Sequence, residues 1–465
     1  MASGLTLRLQ QIRLIIRLAA FDTSTEEGRS NERHRRILLT ALAAIFSKIV
    51  SIGTVFISIP LTLHYLGAER FGLWMTISSV VALLSFADLG IGNGLLNAIS
   101  EANGRDDLKA IRCYLSSALA ILSGIAGLIL LVFYIMIHPF VPWDDFFNVK
   151  SPLAIEEASA AIAVFVLCFA LNIPAGIIQR VQLGLQMGFV SNLWQAAGSI
   201  LGLISILVVI YFEMGLPWLV GGIAGAPIVA AFLNGLYFFS RVKPEIKPGF
   251  ALICRSAMKK VAHTGLLFLV LQISISVAYA SDNVVIARIL GAEAVAQYAV
   301  PEKMFSVIPI LLGMALAPLW PAYGEAMSRG DSQWIKKIFK KSLFLALSFS
   351  SISVIILIFS GHTLLSLWVG RDIHPPFLLL LGFGLWKVCE ACGVALAMLL
   401  NGANIIRIQV ILSSLFATIS IFLKTLLIEK IGIAGAVWAT VIAYTFIIIL
   451  PYSFLFPRLL RRISH

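Results

Sequence analysis

Stretches of 20 or more mostly apolar residues return along the whole chain, separated by short polar joints. That pattern leaves few folds open. A bilayer core about 30 Å thick is crossed by about 20 apolar residues of helix. Inside it the backbone must satisfy its own hydrogen bonds, so the spanning element is a helix or a closed barrel. The runs are continuous rather than alternating, which selects the helix. Composition agrees. Of the 465 residues 59% are hydrophobic and 12% charged, where soluble domains carry about 25% charge, and the mean hydropathy is +0.95. The expected fold class is all-α: a polytopic membrane protein of about 12 transmembrane helices, at 37–64, 71–99, 111–137, 155–181, 189–212, 216–240, 259–289, 295–326, 334–360, 375–401, 405–428 and 433–456.

Twelve crossings put both ends on one side of the membrane, and loop charge says which. The N-terminal tail, the Arg105–Arg112 loop, the stretch from Arg241 to Lys260 and the Arg329–Lys341 loop hold most of the lysines and arginines. The opposite loops hold few, such as Arg70, Lys150, Arg371 and Lys430. Cytoplasmic loops carry the basic excess, so both termini are expected in the cytoplasm. The net charge of +12 reflects this asymmetry and does not point to nucleic acid. The layout is then a basic cytoplasmic segment 1–36, a six-helix bundle 37–240, a cytoplasmic linker 241–258, a second six-helix bundle 259–456 and a basic tail 457–465. Within the first segment Leu5, Leu9, Ile12 and Ile16 share one helical face, which leaves a membrane-surface helix and a disordered tail both open. Pro244 and Pro248 break helix in the linker. The five cysteines are scattered and suggest no disulfide framework; Cys389 and Cys392 make a CxxC inside a span, without a second ligand pair, so no metal is expected.

The two halves echo one another. Leu66-Gly67-Ala68-Glu69 returns as Leu290-Gly291-Ala292-Glu293, 224 positions on, and Tyr298 matches Trp74. The loop Arg105-Asp106 is echoed by Gly330-Asp331, Leu183-Gly184 by Asn401-Gly402, and Gly215-Leu216 by Gly432-Ile433. Short matches in one order indicate a diverged duplication of about 220 residues, such as transporters often carry. Each half would hold six spans, so the expected symmetry is a pseudo-twofold axis along the membrane normal.

Enzyme signatures are missing. There is no Gly-Lys dipeptide and hence no P-loop, no HExxH and no GxSxG. Gly90-Ile91-Gly92-Asn93-Gly94 lies inside a span, where glycines serve close helix packing or bending; Gly221 and Gly225 form a packing GxxxG. The informative residues are charges within spans, which cost at least about 2.5–3.5 kcal/mol at mid-bilayer and face protein or a wet cavity. Lys48 lies roughly 16 Å into the first span, on a stripe with Ser51, Ser58 and Thr62 and no acid within a turn. Lys387 and Glu390 sit at i,i+3, open to mutual neutralisation. Arg288 and Lys424 lie near span ends, where snorkelling is open to them. Asp88 is open to bonding the backbone that nearby glycines loosen. The candidate anion-binding residues are Lys48, Lys387, Arg288 and Lys303; the candidate coupling acids are Asp88, Asp282, Glu302 and Glu390. Pro301, Pro309, Pro318 and Pro321 fall in one span and bend it.

The run from Tyr65-Leu66-Gly67 through Phe71-Gly72-Leu73-Trp74 and Asp88-Leu89-Gly90 to Gly104-Arg105-Asp106 resembles the start of a polysaccharide flippase of the multidrug/oligosaccharidyl-lipid/polysaccharide exporter superfamily. The resemblance covers essentially the whole chain. It implies two six-helix bundles in a V around a central cavity lined by spans 1, 2, 7 and 8. It implies a substrate of oligosaccharide on an undecaprenyl pyrophosphate carrier, flipped from the cytoplasmic to the outer leaflet of the bacterial inner membrane. Membrane lipids, a polysaccharide polymerase and chain-length machinery are the implied partners, with no cofactor, no nucleic acid and no enzymatic step. A cation-coupled drug or metabolite exporter of the same superfamily is the nearest alternative, and would want an acid-dominated cavity. A membrane-bound glycan polymerase or acyltransferase is the alternative of another class; His138, His362 and His374 lie in expected outward loops without an evident partner set.

Overall fold

Gly67 and Gly90 decide where the first membrane helices end. A computed structural model of the chain describes residues 21–22, 25–83, 86–147, 151–290, 292–369 and 375–454. Helix α1, Glu26–Leu83, is two helices joined at Gly67, whose φ of 73° only glycine adopts easily. The span expected at 71–99 is not one helix. It is broken by a turn at 86–90, with Leu89 and Gly90 both at positive φ, before α2, Ile91–Gly104. The cause is local. The Gly90 amide donates to Asp88 Oδ1 at 2.9 Å, an Asx turn that competes with helix.

The chain continues as α3 (Leu108–Leu131, extended by a wide turn to Ile137), the short α4 (Trp143–Phe147), α5 (Pro152–Ala175), α6 (Ile177–Gly184), α7 (Gly188–Tyr211) and α8 (Leu216–Tyr237). After the linker come α9 (Arg255–Leu290), α10 (Ala292–Leu316), α11 (Leu319–Ser328), α12 (Ser332–Val369), α13 (Phe377–Gly402), α14 (Ile406–Ile431) and α15 (Ala434–Tyr444). Among the described residues there is no strand, and eleven helices are long and apolar enough to cross a membrane. Two of the four prolines expected to bend one span, Pro301 and Pro309, lie inside α10; Pro318 sits at the break before α11 and Pro321 within it. The N-terminal surface helix or tail at 5–20, the basic tail 457–465 and His374 lie outside the described residues.

The chain divides into two compact units, Met1–Leu266 and Leu267–His465. In the first, α1 packs on α7, α7 on α8, α5 on α8, and α2 on α3 and α6. In the second, α12, α10, α11 and α15 pack on α13, and α14 on α15. Small residues let the helices approach. A Cβ at Gly198 would lie 3.2 Å from Ala230, one at Gly222 would lie 2.9 Å from Ser205, and Gly221 faces Val164. Bulky apolar side chains such as Phe344 and Phe359 are exposed, as a lipid-facing surface requires.

Gly94 makes the tightest crossing of α2 with the start of α9. An added Cβ would sit 2.4 Å from the Val261 carbonyl oxygen, whereas at Gly53 nothing lies within 4 Å. Gly94→Ala is therefore expected to destabilise by about 1–3 kcal/mol through backbone displacement, while Gly53→Ala is neutral or gains up to about 1 kcal/mol. Thermal midpoints of the two purified variants check this; equal midpoints would remove the crossing as a constraint.

The cysteines depart from the sequence expectation. Cys113 of α3 and Cys254 of the linker form a disulfide across 141 residues. The linker is laid on α3 by polar bonds: Gly249 N to Ser116 Oγ at 3.1 Å, Cys254 N to Ser117 Oγ at 3.2 Å, and Arg112 Nε to the Lys247 carbonyl at 3.3 Å. Those contacts are nonlocal, so spacing along the chain carries no sign of them.

Geometry repeats where the sequence echoes. Asp106 and Gly330, 224 apart, both take positive φ, and the next residues, Asp107 and Asp331, cap α3 and α12 through Ala110 N and Trp334 N. The equivalence thus runs one residue along from the Arg105-Asp106/Gly330-Asp331 match. A Cβ at Gly184 would meet Leu96 O and Ile99; one at Gly402 would meet Trp320 O and Tyr323, the contacted residues, though not the glycines, lying again 224 residues on. Gln186 and Asn404, just past those glycines, share a positive φ.

Candidate functional site

Four helices of the second unit bring charge together. A cavity of about 350 Å³ is lined by Ser276, Tyr279, Asp282 and Asn283 of α9, Tyr298, Glu302 and Lys303 of α10, Phe383, Trp386 and Lys387 of α13, and Val437 and Thr440 of α15. The helical stripe Ser276, Tyr279, Asn283, with Asp282 beside it, is what points α9 polar-side in. Lys387 is nearly fully buried and stands between two acids, 2.9 Å from Glu390 Oε2 and 3.7 Å from Glu302 Oε1. Both carboxylates retain some exposure, Glu302 more than Glu390.

Below this pair lies a second one. Lys424 of α14 is 0% exposed. Its Nζ donates to the Ala278 carbonyl at 2.6 Å and to Ser281 Oγ at 3.0 Å, and lies 2.5 Å from Asp282 Oδ1. The other Asp282 oxygen accepts from Tyr298 OH at 2.7 Å. The expectation that Lys424 snorkels from a span end is overturned, because its reach is taken up by polar groups of α9 inside the bundle. The signal was present in the sequence. Gln409, Ser413, Ser420 and Lys424 fall on the one buried stripe of α14. Tyr298, noticed only as the partner of Trp74 in the repeat, turns out to hold Asp282.

Three ammonium groups (Lys303, Lys387, Lys424) and three carboxylates (Asp282, Glu302, Glu390) make this region formally neutral. Lys303 is exposed and has no ion-pair partner among the described residues. Glu390 lines an adjoining cavity of about 280 Å³ with Tyr279 and Tyr444. Arg288 is exposed in the last turn of α9 and is not among the lining residues; a cation there complements the helix C-terminus.

The first unit holds the remaining candidates. Lys48 is exposed on α1, between exposed Phe46, Ile49 and Ile52, with no partner among the described residues. Two hydroxyls of its stripe bond their own helix, Ser58 to the Val55 carbonyl and Thr62 to that of Ser58. Asp88 Oδ2 and Arg180 Nε both lie 3.0 Å from where a Gly92 Cβ would be, so Asp88 faces a cation as well as the Gly90 amide. A side chain at Gly92 would crowd both. No group of three or more His, Cys, Asp or Glu is gathered to hold a metal among the described residues.

Comparison with known proteins gives a consistent picture. A family profile described as polysaccharide biosynthesis protein matches residues 35–327. A Yersinia pseudotuberculosis protein that carries the name of an O-antigen export protein is 25% identical over 389 residues, covering 78% of this chain and 82% of its own. A Salmonella typhimurium protein named as an O-antigen transporter is 25% identical over 431 residues, 90% of this chain and 96% of its own. Among solved structures, an outward-facing multidrug resistance MATE family transporter of the MOP superfamily superposes with a TM-score of 0.76 at 14% identity, over 93% of this chain and 96% of that one. A MOP superfamily transporter from Pyrococcus furiosus, described as having a binding pocket of reverse polarity, gives 0.76 at 13% identity, over 93% and 96%. The fold is that of these multi-pass membrane transporters.

Proposed function

The chain belongs to the polysaccharide biosynthesis protein family, and from that premise we propose that it is a polysaccharide exporter rather than an enzyme. Its cargo is an oligosaccharide on an undecaprenyl pyrophosphate carrier, moved from the cytoplasmic to the outer leaflet of the bacterial inner membrane by alternating access, without ATP hydrolysis. Both termini face the cytoplasm in this reading, which rests on the basic loops.

The observation that carries the reading is Lys387, nearly fully buried between Glu302 and Glu390. A pyrophosphate is at least a dianion, and it meets a formally neutral site. To bind Lys387 its oxygens must displace the two carboxylates. Protonating Glu302 or Glu390 removes one of the two competitors and leaves the ammonium a net charge to share with the anion. Proton binding and anion binding therefore assist each other, and the linkage is reciprocal. Loss of the anion on the far side restores the Lys387 ion pair and releases the proton. Export of an anion from a negative-inside cell gains about 2.3 kcal/mol per charge per 100 mV, and the proton carried out with it offsets one of those charges.

Flux of a lipid-linked oligosaccharide in proteoliposomes is expected to respond to an imposed pH gradient. The Glu302→Gln, Glu390→Gln double variant should lose that response while still binding the lipid. Lys387→Ala should weaken binding about tenfold or more, roughly 1.4 kcal/mol or greater. A wild-type flux indifferent to any proton gradient overturns the coupling; undiminished binding by Lys387→Ala overturns the anion site.

A further inference from the structure

A second cavity adjoins the charged one and is of the opposite character. It is an open groove of about 500 Å³ between α10 and α12, lined by Val307 and Leu311 on one side and Phe349, Ile356 and Leu364 on the other. Lys303 is its one charged lining residue, and Lys303 also lines the polar cavity with Lys387. The two cavities therefore share a wall at a single ammonium that has no ion-pair partner among the described residues. Val307, Leu311, Ile356 and Leu364 are all exposed along this groove.

The geometry points to a binding site for the hydrocarbon chain of a polyprenyl phosphate: the α10–α12 groove takes the first part of the chain, and Lys303 at its head holds the phosphate at the entrance to the polar cavity. The inference rests on the carrier reading above and adds to it where the lipid lies and which residue bridges its two halves. A molecule with an anionic head and a long apolar tail needs a wet charged region and a dry one that meet at a cation. This chain supplies that junction at Lys303. The groove runs about 12 Å along α10, from Lys303 to Leu311, and about 22 Å along α12, from Phe349 to Leu364, at about 1.5 Å per residue. It thus seats only the chain's beginning and leaves the rest in the bilayer. A bulk phospholipid resting on the surface has no need of a groove that leads into a charged cavity, so the carrier is the occupant that both halves of the site fit. Lys is suited to the head because its ammonium is a compact point charge on a flexible stem that follows a moving phosphate.

The test uses the full chain in vesicles of phosphatidylethanolamine and phosphatidylglycerol, with a polyprenyl monophosphate carrying a photoreactive diazirine near its head. Crosslinks are expected on α10 and α12, competed by unlabelled polyprenyl phosphate but not by added phosphatidylglycerol. Val307→Trp, which fills an exposed part of the groove, should cut labelling about tenfold at normal protein abundance, and Lys303→Ala should do the same while Lys303→Arg retains most of it. Equal competition by phosphatidylglycerol, or labelling unchanged in Val307→Trp, overturns the groove. Labelling that survives Val307→Trp but is lost in Lys387→Ala overturns the groove alone and keeps the carrier at the polar cavity. Absence of any saturable labelling overturns both.

Discussion

Lys424→Met is expected to lower the stability of the purified protein by about 3–5 kcal/mol, the range for removing one member of a buried ion pair. The side chain is fully buried, and its ammonium serves a carbonyl, a hydroxyl and a carboxylate at once. Methionine fills the space and leaves the Asp282 carboxylate without its cation. The double variant Lys424→Met, Asp282→Asn should recover most of the loss, since no uncompensated charge remains and Tyr298 keeps an oxygen to bond. Thermal unfolding of the two variants and of Asp282→Asn alone completes a cycle, with a large coupling energy expected for residues in contact. A single variant that melts with the wild type would show that the pair contributes nothing.

This pair also divides what was legible in the sequence from what was not. The helical membrane fold was open to view because apolar length and continuity follow from the bilayer itself. The paired local features were legible as well: the turns at Asp106 and Gly330 and the close approaches at Gly184 and Gly402 fall where the sequence echoes itself. Charges were legible as unusual, and Asp282, Glu302, Lys303 and Lys387 do line one cavity. Of their partners, only the local one was legible. Lys387 with Glu390 is local, at i,i+3, and was foreseen as an open pairing; Lys424 with Asp282 joins helices 142 positions apart, and no periodicity encodes which helix a buried lysine meets. Asp282 was, with Glu302, a leading coupling candidate because both are acids on expected cavity helices. Its two oxygens are met by Lys424 and Tyr298, neither of them within a turn of it on its own helix. The break at Asp88 was missed for a related reason. An apolar run longer than one span reads as helix unless the Asx turn at its centre is given weight against the surrounding hydrophobicity.

Lys48→Ala is expected to abolish export while leaving the protein folded and abundant, the reverse of Lys424→Met. The two lysines differ in what they touch. Lys424 is enclosed and triply bonded, whereas Lys48 is exposed on α1 with no partner among the described residues, so truncation strands no buried charge. In the expected span 37–64 it falls near mid-membrane, where an ammonium facing lipid costs at least about 2.5–3.5 kcal/mol. A cost without a structural return calls for another occupant, and water with a recurring anion is the one that suits an ammonium. Surface glycan in a flippase-null strain expressing Lys48→Ala should fall at least about tenfold, corresponding to roughly 1.4 kcal/mol or more of lost interaction. Lipid-linked oligosaccharide should accumulate on the cytoplasmic leaflet. Lys48→Arg should retain part of the activity, since the charge remains while its shape and hydration change. Membrane abundance measured alongside separates function from folding. Full glycan display by Lys48→Ala at wild-type abundance would remove Lys48 from the transport path and leave the anion to the Lys303–Lys387 side alone.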